Sequence, residues 1–149
     1  PWDEQTCPAA ANGGHLEVLK GTCPGPDPCP WNEGTCWAAA SSGYLEVLKW
    51  ARSGLDPCPW DAEICQAAAA EYGHLEVLKW ARSNPDPCPW NAVICYAAAR
   101  HGHLDVLKWA RSGQDPCPWD AEFCQAAAAE CGHLNIVDWV RSVVTLEAA

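Results

Sequence analysis

Positive charge is scarce in this chain. Its 149 residues carry 9 Lys and Arg against 19 Asp and Glu, a formal net charge of −10. A partner held through its phosphate backbone needs a clustered basic surface, so the balance argues against nucleic acid. Docking on anionic lipid is disfavoured for the same reason. Long apolar runs are missing too, which argues against direct membrane insertion. No signal peptide is visible, and there is no methionine. The chain opens at Pro1 in the middle of a repeated phrase, so a segment of a longer protein is expected. Strand-like alternation of apolar and polar residues is absent throughout, which points to an all-α chain.

Catalytic signatures are equally thin. No Ser or Cys nucleophile stands apart with its own base and orienting group, and no Gly-rich phosphate loop occurs. Carboxylates recur once per repeat, as expected of solvated charges. Glu46 with Lys49 and Glu76 with Lys79 are helical neighbours, contributing about 0.2–0.5 kcal/mol each. No enzyme is expected, and no cofactor.

What the chain has is one sentence said several times. The Trp of each Pro-Trp dipeptide falls at Trp2, Trp31, Trp60, Trp90 and Trp119, at steps of 29, 29, 30 and 29. Such a period marks a solenoid or a related array. Five units follow, at 1–28, 29–57, 58–87, 88–116 and 117–149. Each reads as helix, turn, helix, loop. Asp3, Asn32, Asp61, Asn91 and Asp120 are placed to cap the first helix. An Ala-rich stretch follows, and Gly14, Gly43, Gly73, Gly102 or Gly132 ends it. The second helix is spelled "HLEVLKWARS", with Leu75, Val77, Leu78 and Ala81 at helical spacing. Prolines in the loop stop it. One helix pair cannot bury both of its faces, but stacked pairs can. Cys65 to Gly73 and Cys124 to Gly132 are eight residues where the other units have seven, so an extra residue must enter a bulge or a longer turn. The second helix of the first unit is expected to end early, because "GTCPGPDP" replaces "WARSGLDP".

"AAASSGYLEVLKW" and "AAARHGHLDVLKW" resemble the core of the ankyrin repeat: small Ala, two variable residues, then Gly-His-Leu and an apolar second helix. The resemblance covers nearly the whole chain, in a divergent form marked by Cys-Pro-Trp. It implies an ankyrin-like solenoid and protein partners. The Thr-Pro-Leu-His start is absent, "DPCPW" stands where the hairpin would be, and the period is shorter than usual. A tighter loop is expected in place of a β-hairpin finger.

Eleven cysteines follow the repeat number, with Cys23 and Cys131 off the pattern. The Cys-x6-Cys spacing at 29/36, 58/65, 88/95 and 117/124 does not match the close pairs of zinc sites, and Tyr44 replaces a candidate His ligand. No metal is expected. Buried small hydrophobes are the simpler reading, and a disulfide within each repeat stays open without geometry. The His at the start of each second helix is read as bonding backbone around the turn. Trp31, Trp60, Trp90 and Trp119, with the Lys-Trp residues Trp50, Trp80, Trp109 and Trp139, are read as packing between repeats.

Positions that differ between repeats are those that stacking does not dictate. Counted from the start of each unit, they fall at i, i+3 and i+7 of the first helix, one face. The expected partner-binding residues are Trp37, Ser41, Glu63, Gln66, Tyr72, Val93, Tyr96, Arg100, His101 and Gln125. Aromatic residues and Arg are enriched at interfaces. The expected function is a non-catalytic protein-interaction scaffold. One alternative is a structural linker in a large assembly, with a photosynthetic membrane complex as one host by analogy. Another is a ligand or glycan binder using the Trp rows. A soluble intracellular location is expected, either cytosol or an organelle such as the plastid stroma.

Overall fold

The computed structural model describes residues 5–22, 32–54, 57–83 and 87–149. Ten helices and no strand occur among them. They are α1 (Thr6–Asn12), α2 (Leu16–Thr22), α3 (Glu33–Ser42), α4 (Leu45–Arg52), α5 (Ala62–Glu71), α6 (Leu75–Ser83), α7 (Ala92–His101), α8 (Leu104–Arg111), α9 (Ala121–Glu130) and α10 (Leu134–Ala148). The odd-numbered helices stack on one another in chain order, and each even-numbered helix packs on the one before it. This is an all-α, ankyrin-like solenoid. The α2 helix runs to Thr22, the last described residue before Asn32, so the expected early end lies outside the described residues.

Capping explains where the first helices begin. The side chains of Asn32, Asp61, Asn91 and Asp120 accept hydrogen bonds from the amides of Thr35, Ile64, Val93 and Phe123, at 2.9–3.2 Å. Each satisfies a donor that the helix leaves open. Asp3 lies outside the described residues, and α1 is preceded instead by Gln5. At the other end, the amides of Tyr44, His74, His103 and His133 reach back to the carbonyls of Ala39, Ala69, Ala98 and Ala128. That closure needs a left-handed residue just before it. Gly43, Gly73, Gly102 and Gly132 supply it, with φ between +76° and +86°.

Burial follows from these two fixed ends. Ala38, Ala39 and Ala40 are buried, as are Ala68, Ala69 and Ala70, and Ala97, Ala98 and Ala99. Side chains this small let neighbouring first helices approach closely. On the even helices, Val47, Leu48 and Ala51 are buried, and so are Val77, Leu78 and Ala81 in α6. Each such Leu contributes roughly 1.5–3 kcal/mol.

The extra residue of α5 and α9 lengthens the turn: Tyr72 and Cys131 follow Glu71 and Glu130, where α3 and α7 pass straight to Gly43 and Gly102. Each donates its amide to the carbonyl four back. The Ala face and the glycine closure keep their register with the neighbours. The residues nearer the cap are therefore turned by one helical step. Counted back from the glycine, Gln66 is equivalent to Cys36 and Cys95, and Cys65 to Thr35 and Ile94. Accessibility obeys that count: all six are at most 2% exposed.

Candidate partner-binding face

The same count assembles the exposed face of the first helices. Nine residues before the glycine stand Gly34, Ile64, Val93 and Phe123. Ile64 is 54% exposed, Val93 46% and Phe123 59%. Six before it stand Trp37, Ala67, Tyr96 and Ala126, and Trp37 is 44% exposed. The Tyr96 ring stacks on that of Phe123, with centroids 4.8 Å apart and planes at 15°. Arg100 donates to the Tyr96 hydroxyl at 3.1 Å. Between α1 and α3 a shallow groove of about 540 Å³ is lined by Pro8, Asn12, Trp37 and their neighbours.

Nearer the glycine the row turns polar. Ser42 Oγ lies 2.7 Å from Asn12 Oδ1, and His101 Nε2 lies 3.8 Å from Glu71 Oε1. Tyr72 projects beside them, exposed. At the opposite edge, Glu33, Glu63 and Glu122 occupy the first turns, all exposed. An apolar row with an acidic border results.

Most of the expected binding residues lie on this face. Trp37, Glu63, Tyr72, Val93, Arg100 and His101 are exposed, and Ser41 and Tyr96 are half-buried. Gln66 is not there. It is buried, and its amide finds no protein hydrogen-bond partner among the described residues. Gln125, its equivalent in α9, is half-buried. Counting from the cap puts both on the face, whereas packing sets their register from the glycine. The cap-based reading correspondingly misses Ile64 and Phe123, and it misses Glu71 and Glu130, which take the places of Ser41 and Arg100. The eight-residue Cys-to-Gly spacing was the available signal.

The seams between repeats hold the conserved-looking chemistry of the repeat. Trp60 packs edge-on against Trp80 of its own repeat, with centroids 5.7 Å apart, and Trp90/Trp109 and Trp119/Trp139 are similar at 5.4 and 5.8 Å. The Trp pairs lie within a repeat, and each Pro-Trp ring also meets the Arg of the preceding repeat across the seam. Arg52, Arg82 and Arg111 donate to the carbonyls of Cys58, Cys88 and Cys117 and lie over the rings of Trp60, Trp90 and Trp119. Trp31 lies outside the described residues. The histidines do bond backbone, but across the seam: His74 Nε2 is 2.8 Å from the Ser41 carbonyl and His103 Nε2 is 2.8 Å from that of Glu71.

The cysteines also meet across seams. The Cys36 thiol acts on that of Cys58, and the Cys117 thiol on that of Cys95. The Cys58 and Cys117 thiols also reach the Asn32 and Asn91 carbonyls at 3.4 Å. The neighbouring thiol, Cys36 or Cys117, and burial hold Cys58 and Cys95 well above the ordinary thiol range. Cys117, which faces Cys95, Arg111 and Arg82, is lowered. Among the described residues no cluster of three or more His, Cys, Asp or Glu could hold a metal ion. None of their helices is long and apolar enough to cross a membrane.

Residues 64–111 match the family described as ankyrin repeats (many copies). That stretch runs from within α5 to the end of α8, and helix pairs of the same build flank it on both sides. Over those residues the chain is similar to ankyrin repeats, and the array as a whole has an ankyrin-like helical fold. Comparison with curated proteins gives no match. Ankyrin repeats are in general protein-interaction modules, and the family is typically non-catalytic.

Proposed function

We propose that this chain is a scaffold that binds a protein partner through the exposed face of α3, α5, α7 and α9. The observation that carries this is the row Ile64, Val93 and Phe123. Each is about half exposed, at a position where the equivalent Gly34 has no side chain. Stacking therefore does not demand an apolar residue there. Trp37, Tyr96 and Tyr72 extend the row with side chains suited to anchoring an interface. The acidic border and the net charge of −10 favour a partner segment with apolar anchors among basic residues.

The test pairs Ile64→Asp with Phe123→Asp in one chain. Loss of the partner that co-purifies and cross-links with the unaltered protein from its native source is expected, with thermal stability nearly unchanged. Glu46→Lys, on the exposed side of α4, serves as the control and keeps the partner. A double variant that retains the partner would remove this face from the reading. A linker in a permanent assembly would use the same face, and the partner would then survive purification without exchanging.

A further inference from the structure

Four of the cysteines in the seams make two pairs that the sequence spacing does not suggest. Cys36 of α3 meets Cys58, which lies in the loop before α5, and Cys95 of α7 meets Cys117, in the loop before α9. In each pair the partners are 22 residues apart. All four are buried. Cys36 Sγ also lies 3.9 Å from the Cys58 carbonyl, so the first helix of one repeat and the entry loop of the next touch through sulfur. Cys7, the equivalent of Cys36 and Cys95 in α1, is itself disulfide-bonded. The third seam is built differently. In α5 the extra residue puts Gln66 at the equivalent position, and Cys65 is turned to the place of Thr35 and Ile94. Among the described residues no hydrogen bond joins Cys65 to a sulfur; burial acts on it first, then the charges of Asp61, Cys88 and Cys58.

We propose that Cys36–Cys58 and Cys95–Cys117 are disulfide-forming sites that bolt neighbouring repeats together, and that Cys65, lacking this register, is not. A disulfide needs its sulfurs about 2.0 Å apart and its Cβ atoms correctly aimed. Buried thiols that face each other across a seam need only a small approach. The oxidant is a low-molecular-weight disulfide such as oxidised glutathione. One cysteine thiolate attacks a glutathione sulfur, breaking that S–S bond and releasing one glutathione thiol. The second cysteine then attacks the mixed disulfide and releases the other. Two electrons pass from the cysteine pair to the glutathione disulfide, and the two thiol protons end on the released glutathiones. Because the four thiols are buried in the stack, exchange takes place while repeats dock during folding.

The test refolds the reduced full chain in a glutathione redox buffer. After acid quenching and alkylation, the linked peptides are mapped by mass spectrometry. Links 36–58 and 95–117 are expected, with Cys65, Cys124 and Cys131 alkylated. Links within a repeat, such as 58–65 or 117–124, would overturn the proposal, and so would full alkylation of Cys36 and Cys95. A gain-of-link variant tests the register without removing a native thiol. Gln66→Cys replaces a buried amide with the residue found at the equivalent positions, and a new link from position 66 to Cys88 is expected. A folded Gln66→Cys chain that leaves position 66 alkylated would refute the register argument. Cys36→Ser should lose the 36–58 link alone and leave 95–117 intact. Loss of both would show that the links follow no local geometry.

Discussion

Gly73 answers two demands at once. Its φ of +76° is one that side-chain-bearing residues adopt only at a cost, and a Cβ there would lie 2.5 Å from Nδ1 of His103 in the next repeat. Gly113 also has a positive φ, +90°, but nothing lies within 4 Å of its would-be Cβ. The two glycines separate backbone strain from crowding. Gly113→Ala should cost about 1–2 kcal/mol, the strain alone. Gly73→Ala should cost about 2–5 kcal/mol, strain plus displacement of a ring held to the Glu71 carbonyl. Urea unfolding of the two variants measures the difference. Equal losses would mean that the His ring moves aside freely. The need for a left-handed residue at Gly73 was legible in its place after the Ala run. The His packed against it was not, since it belongs to another repeat.

A helix in this array has two registers, one set by its cap and one by its neighbours. In α3 and α7 they agree. In α5 and α9 one added residue sets them apart, and packing along the Ala face wins. The reason is energetic: the Ala contacts and the glycine closure recur at every seam, whereas the cap is satisfied locally wherever the helix begins. The run of four Ala in α9 shows the outcome within a few residues. Ala128 is fully buried, while Ala126 is exposed. Ala128→Leu should therefore destabilise by about 1–3 kcal/mol or more, through overpacking against α7. Ala126→Leu should stay within about 0.5 kcal/mol. Thermal unfolding of both variants checks the assignment. A reversed order would restore the register counted from the cap. The same choice between registers buries Gln66 and brings Ile64 and Phe123 to the surface.

Across the whole molecule, the buried thiols tie stability to pH. Burial pushes Cys65 up to about 12 and Cys124 up to about 11, from an ordinary value of 9.0. In the unfolded chain these thiols lose their protons above about pH 9, while the folded chain keeps them. The contribution to stability is therefore complete below that pH and is lost as pH rises toward about 11–12. Cys117, lowered by its partner and by Arg111 and Arg82, acts in the opposite direction. For the reduced protein, moving from about pH 8 to about pH 10.5 should cost roughly 2 kcal/mol for Cys65. Comparing urea midpoints with those of Cys65→Ala isolates its share, and equal losses in both would assign the effect to other groups.

The sequence by itself determined the period, the helix pairs, the caps at Asn32, Asp61, Asn91 and Asp120, and the closing glycines. All of these depend on residues within a few positions of one another. It also marked which positions vary. The tertiary structure alone decided which side chains meet across a seam: Arg82 over Trp90, His103 against Gly73, and Cys95 with Cys117. It also decided which variable residues are exposed. Those outcomes depend on how one helix is rotated against the next. That rotation is set by contacts a full repeat apart, where one added residue turns a helix end by about 100° without changing any local signal.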